Sequence, residues 1–158
     1  MKEIALTGNV NHVSADITGK LLGAGLSVAA YVDYPERVML DDSRLTVEGV
    51  DFHSVDSLEK ALSGYTDAIL TYSDDLENLY TNDLTLKTFV DTVFAARKAG
   101  VARIIVVGSP LSEAFFVTEL RRLDDIDWVF ISTEGDYPDR VVEQVVNPTL
   151  HKEEYKED

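Results

Sequence analysis

Apolar residues follow two alternating patterns along the chain, short continuous runs and helical repeats. The runs are rich in β-branched residues and have no polar face. They therefore predict strands that are buried on both sides, as in a parallel sheet. Six such strands are predicted, at Ile4–Thr7, Ser27–Val32, Leu45–Val47, Ala68–Tyr72, Arg103–Val107 and Trp128–Ser132.

The segments between the runs repeat apolar residues at helical spacing and carry typical start and stop signals. Aspartate followed by glutamate three residues later is typical of a capping box, and glycine is typical of the residue after a helix. Four helices are predicted: one from Val13 to Ala24 that stops at Gly25, one that begins with a capping box of Asp56 and Glu59, one capped by Asp83 that stops at Gly100, and one near Leu111–Leu123.

Six strands with intervening helices form two βαβαβ halves. Right-handed crossovers then favour a doubly wound parallel sheet with strand order 3-2-1-4-5-6, in a three-layer α/β/α sandwich of the Rossmann type. The prediction is a single domain over residues 1–150, followed by a charged tail at 151–158.

Composition excludes several classes of function. The chain has 158 residues, no cysteine and a formal net charge of −15, so disulfides, thiolate metal sites and cysteine nucleophiles are excluded. The negative field opposes binding to nucleic acid and to anionic membranes. No apolar run approaches the roughly 20 residues of a membrane span, and no signal segment is evident, so we expect a cytoplasmic protein. The three histidines are far apart, and no metal site is expected.

Ligands of a doubly wound sheet bind beyond the carboxyl ends of its strands, where the strand order reverses. The turn after the first strand reads Gly8-Asn9-Val10-Asn11-His12-Val13-Ser14. A phosphate loop of this fold needs three glycines at G-x-x-G-x-x-G, and only Gly8 is present. Asparagine tolerates positive φ, so Asn11 is expected to keep the backbone path, although its side chain takes space that a pyrophosphate needs. A dinucleotide site and a turn that no longer binds phosphate both remain open.

Two charged residues follow the second strand. Asp33 ends the strand, where a carboxylate accepts hydrogen bonds from ribose hydroxyls and repels a 2′-phosphate. If a dinucleotide binds, NAD(H) is therefore favoured over NADP(H). Arg37 is the alternative partner for a phosphate, and His12 in the loop is a further candidate for contact with an anion.

The order of these segments resembles the NAD(P)H-binding branch of the atypical short-chain dehydrogenases, the NmrA-like proteins and their flavin-reductase-like relatives. The resemblance covers nearly the whole chain. Four stretches carry it: IALTGNVNHVSADITGKLLGAGLSVAAYVDYPERV, VEGVDFHSVDSLEKALSGYTDAILTY, FVDTVFAARKAGVARIIVVGS and LRRLDDIDWVFIS.

The resemblance implies a role for each matching position. It places Gly8, Asn9, Asn11, His12 and Val13 in the pyrophosphate loop, Asp33 at the ribose, Asp51 and Phe52 beside the adenine, Thr71, Tyr72 and Ser73 beneath the nicotinamide-side ribose, and Gly108 and Ser109 at the neighbouring strand end.

The chain departs from the family in its catalytic and substrate-binding parts. None of its seven tyrosines is followed by lysine four residues later, although typical members use that pair as a proton donor. The segments that shape the substrate site in relatives are short after Ser109 and after Ser132. We therefore expect no reduction through a tyrosine acid. The remaining route is hydride transfer to a flat, electron-poor ring near Tyr72 and Ser109, and no catalytic residue is assigned.

Two functions follow from the sequence. The first is an NAD(H)-preferring protein, either a minimal NADH-dependent reductase or a cofactor sensor, whose partners are the dinucleotide and a small planar acceptor. The second is a pseudoenzyme that has lost the cofactor and acts through protein contacts. Homo-oligomer formation is left open.

Overall fold

A computed structural model describes residues 3–72 and 82–148, with side chains from residue 87 onward in the second range. Six parallel strands form one sheet in the order β3-β2-β1-β4-β5-β6, as predicted. Every adjacent pair is parallel and in continuous register, and β1 pairs with β4 where the strand order reverses. The second half of the chain is a βαβαβ unit, but no α-helix connects the second and third strands, so the prediction of two βαβαβ halves is wrong for the first half. The strands are Glu3–Gly8 (β1), Ser27–Val32 (β2), Leu45–Gly49 (β3), Asp67–Thr71 (β4), Arg103–Gly108 (β5) and Asp127–Ser132 (β6).

In the part of the chain that the structure describes, five α-helices cover the two faces of the sheet and bury two separate apolar clusters. One cluster lies between the sheet and α1 with α5, and the other between the sheet and α2, α3 and α4. The central strands are buried on both faces, which accounts for their uninterrupted apolar sequences. The helices are His12–Gly23 (α1), Val55–Leu62 (α2), Asn82–Ala99 (α3), Glu113–Leu120 (α4) and Tyr137–Val146 (α5).

Glycine ends two of the helices where the sequence predicts it. Gly25 has φ +87° and Gly100 has φ +86°, a left-handed conformation that costs glycine little. The next residue then closes each helix with a backbone hydrogen bond, from Leu26 N to Leu21 O at 3.1 Å and from Val101 N to the Ala96 carbonyl at 3.0 Å.

Two predicted helix starts are wrong. The second helix is capped by Ser54, whose hydroxyl accepts a hydrogen bond from the Ser57 amide at 3.1 Å. Asp56 therefore lies within the first turn of the helix. Its side chain is not placed to accept from the free backbone amides that an N-cap residue satisfies. The third helix includes Asn82, so Asp83 lies inside it and is not its N-cap. The residues that precede this helix lie outside the described residues.

Helix α5, which completes the layer on the α1 face of the sheet, is not among the helices predicted from the sequence. Tyr137, Val141 and Val145 are buried at the four-residue spacing of one helix face, a signal that was present in the sequence. The Tyr137 hydroxyl donates to Asp16 of α1 at 3.3 Å, so a polar contact joins the apolar packing between the two helices.

The connection from β2 to β3 contains no α-helix. Its residues, 33–44, form a 3-10 turn at Pro35–Arg37 and a second turn before Leu45, with no other regular structure. A helix of this crossover would pack beside α1 in a doubly wound fold. Its absence leaves a cavity of about 250 Å³ between α1, β2 and this segment.

Gly8 is required by the close approach of β1 to β4. A Cβ atom at this position would overlap the Thr71 hydroxyl and lie 2.7 Å from the Thr71 carbonyl oxygen. We expect Gly8→Ala to lower the free energy of unfolding by about 1–3 kcal/mol, because the two strand ends must move apart. Urea denaturation measures the change.

Gly19 in α1 is the matched control for this substitution. A Cβ at Gly19 meets nothing within 4 Å, so Gly19→Ala is expected to stabilise the protein by about 0.5–1 kcal/mol. Equal effects of the two alanines would contradict the role of the β1–β4 contact.

Candidate functional site

The carboxyl ends of β1 and β4 meet at the point where the strand order reverses, which is where the fold places ligands. Thr71 lies at the end of β4, buried, and its hydroxyl donates to the Thr7 carbonyl of β1 at 3.3 Å. The hydroxyl is thus directed across the junction toward β1. The floor of the crevice is formed by this contact and by the Gly8 backbone beside it.

The first turn of α1 is closed by hydrogen bonds between its own residues. The Asn11 side-chain oxygen accepts from the Ser14 amide at 3.0 Å, and the Ser14 hydroxyl accepts from the Asn11 amide at 3.2 Å. This reciprocal pair is a capping box. Ser14 is also 3.0 Å from the Asn9 carbonyl, to which its hydroxyl donates. The second and third glycine positions of a phosphate loop therefore hold side chains that use two of the amides at this helix end.

Asn11 does not keep the backbone path of a glycine. Its φ is −157°, in the extended region, so the expectation of a positive φ is wrong. The physical reason is the cap itself, because an N-cap residue adopts extended dihedrals in order to turn its side chain toward the helix amides. Asparagine followed by serine three residues later was the sequence signal for this arrangement.

Two amides of the same helix end remain available to a ligand. Within the described part of the chain, the His12 and Val13 amides take part in neither the capping box nor a backbone bond. Both lie in the first turn, where the helix dipole favours an anion. The Val13 side chain is buried in the core and His12 is exposed, so the loop contributes backbone amides more than side chains.

Asp33 connects the end of β2 to the loop. Its Oδ1 accepts from the Val10 amide at 3.1 Å and from the Tyr34 amide at 2.9 Å. Both bonds use the same oxygen, so they leave Oδ2 uninvolved. The sequence placed Asp33 correctly at the strand end, but its bond to Val10 depends on the spatial neighbourhood of β1 and β2 and has no sequence signal.

The residues expected beside an adenine follow β3. Asp51 is exposed and its carboxylate accepts from the His53 amide at 2.9 Å, while Phe52 is half-buried. The Asp51 amide donates to Ser57 of α2 at 3.2 Å, which ties the turn to that helix. These two residues lie at the same edge of the sheet as Gly8 and Asp33, as parallel strands require.

Tyr72 is directed into the protein. Its ring packs against Phe89 and Phe116, with centroid distances of 5.7 Å and 5.0 Å. Burial raises the pKa of Tyr72 well above its ordinary value, and a hydrogen bond with Thr92 offsets part of that rise. The phenol therefore stays protonated at neutral pH inside an aromatic cluster. Ser73, which follows it, lies outside the described residues.

Ser109 follows β5 and is buried at 2% exposure. Its hydroxyl accepts from the Ser112 amide at 3.2 Å and lies 3.0 Å from the Ser112 hydroxyl. Ser109 thus caps the 3-10 turn Pro110–Ser112, which leads directly into α4. This direct connection is the shortened segment that the sequence predicts after β5.

The structure gathers the predicted residues at one edge of the sheet but gives many of them internal partners. The loop from Gly8 to Val13 lies beside Asp33, to which its Val10 amide donates. Thr71, Tyr72 and Ser109 are each engaged with protein groups. No group of three or more metal-ligating side chains occurs within the described residues, and none of the described helices is long and apolar enough to cross a membrane.

A doubly wound sheet with a helix N-terminus at its switch point and a carboxylate at the end of β2 defines a dinucleotide-binding domain of the Rossmann class. Residues 11–118 match the NAD(P)H-binding family, and the chain belongs to that family. No curated protein matches the chain.

Solved structures support the same class. A Bacteroides thetaiotaomicron protein, provisionally called an epimerase, is similar with a TM-score of 0.82 and 21% identity, over 96% of this chain and 94% of that one. The Citrobacter sp. triphenylmethane reductase, complexed with NADP(H), is similar with a TM-score of 0.67 and 26% identity. That match covers 82% of this chain but 48% of the reductase. These findings confirm the resemblance to the NmrA-like atypical short-chain dehydrogenases.

Alkaline unfolding tests the inward placement of Tyr72. Because burial raises its pKa in the folded state, the stabilisation that this tyrosine provides is complete below its unfolded pKa of about 10 and is lost as pH rises. We expect the free energy of unfolding to fall above pH 10, and Tyr72→Phe to reduce that slope by about 1.4 kcal/mol per pH unit. Urea titrations at a series of alkaline pH values measure it.

Phe130→Leu is the control, since Phe130 packs on Phe116 in the same aromatic cluster and the change removes no titrating group. It should lower stability equally at all pH values and leave the slope unchanged. A slope that Tyr72→Phe does not alter would show that the phenol ionises freely in the folded protein.

Proposed function

We propose that this chain binds NAD(H) across the carboxyl edge of its sheet, with the adenosine half beside Asp33 and the pyrophosphate at the start of α1. The observation that carries the proposal is the position of Asp33. The Val10 and Tyr34 amides hold its Oδ1, which leaves Oδ2 for a ribose hydroxyl. A carboxylate at this place repels a 2′-phosphate, so NAD(H) is preferred over NADP(H).

The residues at the start of α1 fit a pyrophosphate only in part. The His12 and Val13 amides and the helix dipole favour an anion there. The Asn11 and Ser14 side chains narrow the approach, because they occupy the space that glycines would leave and use two neighbouring amides themselves. The net charge of −15 adds repulsion. We therefore propose that binding is weak compared with a site that has three glycines.

The chemistry that such a cofactor supplies is hydride transfer, and the chain offers it no tyrosine acid. Tyr72 packs on Phe116 and no tyrosine is followed by lysine four residues later. A carbonyl acceptor needs a proton donor at its oxygen, whereas a flat ring acceptor such as a flavin or quinone takes its proton from water. If the chain is a reductase, its role is to position such a ring. If it turns over nothing, it acts as a sensor of the cofactor.

A pseudoenzyme that acts through protein contacts is the second candidate function. The capping box favours it, because a loop whose hydrogen bonds are satisfied internally gains less from a bound phosphate. The two functions differ in one measurable property, which is whether the chain binds a dinucleotide.

Calorimetric titration with NADH and with NADPH tests the preference. We expect NADH to bind at least about tenfold more tightly, a difference of about 1.4 kcal/mol. Asp33→Asn should reduce that ratio, because the amide keeps an acceptor for the Val10 N–H and removes the charge that repels the 2′-phosphate.

Asp41→Asn is the matched control, since it makes the same change of net charge at an exposed position of the same crossover. Its ratio of affinities should stay that of the unmodified protein. Tighter binding of NADPH would overturn the assignment of Asp33 and favour Arg37 as a phosphate ligand.

Restoring glycine at the two substituted loop positions tests the steric part of the proposal. We expect Asn11→Gly combined with Ser14→Gly to raise the affinity for NADH, because the pyrophosphate gains space and two amides. The same change should lower the free energy of unfolding by about 0.5–1 kcal/mol for each residue, since glycine adds freedom to the unfolded chain. Calorimetry and urea denaturation measure the two effects.

Ser63→Gly serves as the control, because it removes a side-chain hydrogen bond at the far end of α2 and adds the same freedom to the unfolded chain without touching the loop. It should cost stability and leave NADH affinity unchanged. No gain of affinity in the double variant would contradict the steric explanation. Absence of binding by both proteins would favour the pseudoenzyme.

A further inference from the structure

The helix-free crossover between β2 and β3 covers a cavity beside α1. Its floor is formed by Leu6 of β1 with Ala30 and Val32 of β2, all nearly or fully buried. Thr18 of α1 closes one side, and its hydroxyl is already bonded to the Ser14 carbonyl at 2.7 Å. The interior of the cavity is therefore apolar.

The outer wall of the cavity is the segment from Arg37 to Leu40. Met39 is 89% exposed and Leu40 is 38% exposed although both line the cavity, so this wall leaves apolar surface in contact with water. At about 250 Å³, the cavity is slightly smaller than pockets that hold drug-sized ligands, which measure roughly 300–1,000 Å³. It suits a molecule with one short apolar chain or ring.

The mouth of the cavity carries groups that recognise an anion. Arg37 lines it, and its guanidinium stacks on the Tyr34 ring at 4.4 Å. Within the described residues, Arg37 forms no salt bridge, whereas Arg44, Arg97 and Arg122 pair with carboxylates. The chain has 29 acidic residues, yet Arg37 stacks on a ring and pairs with none of those described. Its N–H groups are therefore available to donate hydrogen bonds to another partner.

The lining of the cavity overlaps the start of the loop. It includes Val10, Asn11 and His12 together with residues of α1, β2 and the crossover. Asp33 is not among the lining residues, and its Oδ1 accepts from the Val10 amide. A ligand in the cavity would therefore contact the loop that we assign to the pyrophosphate.

We propose that this cavity is a binding site for a small carboxylate with an apolar tail, such as a medium-chain fatty acid. The tail enters between α1 and the crossover, over Leu6 and Val32. The carboxylate meets Arg37 at the mouth. The groups that define the site are in place in the protein without cofactor, so binding is measurable on the chain alone.

Methyl NMR of the full chain without cofactor provides a specific test. The sequence has two methionines, Met1 and Met39, so methyl-labelled methionine gives a simple spectrum that contains the Met39 signal. Met39 lines the cavity, and we expect octanoate to shift its signal saturably. Octylamine, which has the same tail and the opposite charge, should not shift it.

Two pairs of variants separate the apolar and charged parts of the site. Ala15 of α1 is exposed and lines the cavity, so Ala15→Phe should fill the mouth and abolish the shift of the Met39 signal. Ala114 is exposed on α4 and does not line the cavity, so Ala114→Phe should preserve the shift. Arg37→Gln should weaken octanoate binding by about tenfold and leave octanol binding unchanged, because only octanoate carries a charge. Arg37→Lys keeps the positive charge and should bind octanoate more tightly than Arg37→Gln but less tightly than the unmodified protein. Circular dichroism verifies that each variant is folded.

Absence of a saturable shift with octanoate would overturn the proposal. The proposal is equally overturned if octylamine binds as well as octanoate, or if Ala15→Phe responds like Ala114→Phe. Because all of these titrations omit NADH, their failure is distinct from a failure of the dinucleotide proposal.

Discussion

The contact between Gly8 and Thr71 joins the two halves of the sheet at the point on which the site depends. Only glycine fits there, because any Cβ would overlap the Thr71 hydroxyl. That hydroxyl bonds back to the Thr7 carbonyl, so the end of β4 is held against the end of β1. In this fold the same junction supports the ligand. Gly8 therefore serves strand packing as directly as it serves a phosphate loop, and its presence alone does not distinguish the two roles.

The carboxyl edge of the sheet is largely satisfied by contacts within the protein. Asn11 and Ser14 close the start of α1, and Ser109 caps the turn after β5. At the end of β5, a Cβ on Gly108 would lie 3.0 Å from the Phe116 ring, which shows how closely α4 packs against this edge. Such contacts stabilise the free protein, and a ligand must compete with some of them. Asp33 differs, because its Oδ1 accepts from the Val10 and Tyr34 amides while its Oδ2 takes part in neither of these hydrogen bonds.

The crossover from β2 to β3 has no α-helix, and a cavity lies beneath it. A doubly wound domain normally covers the β2 side of its sheet with a helix beside α1. Here residues 33–44 cover it with a segment that has no α-helix, which leaves a cavity and an exposed Met39. Arg37 of this segment lines the cavity and stacks on the Tyr34 ring. The missing helix therefore leaves a guanidinium beside an apolar space.

The sequence by itself determined the sheet order and the helix stops, because both depend on local chemistry. Continuous apolar runs require two buried faces, and Gly25 and Gly100 are needed wherever a helix ends in a left-handed turn. It also brought the loop and Asp33 to one edge, since parallel strands end together. Only the tertiary structure decided which groups those residues bind. The Asp33–Val10 bond, the inward ring of Tyr72 and the cavity beneath the crossover all depend on distances between elements, which the order of residues does not specify.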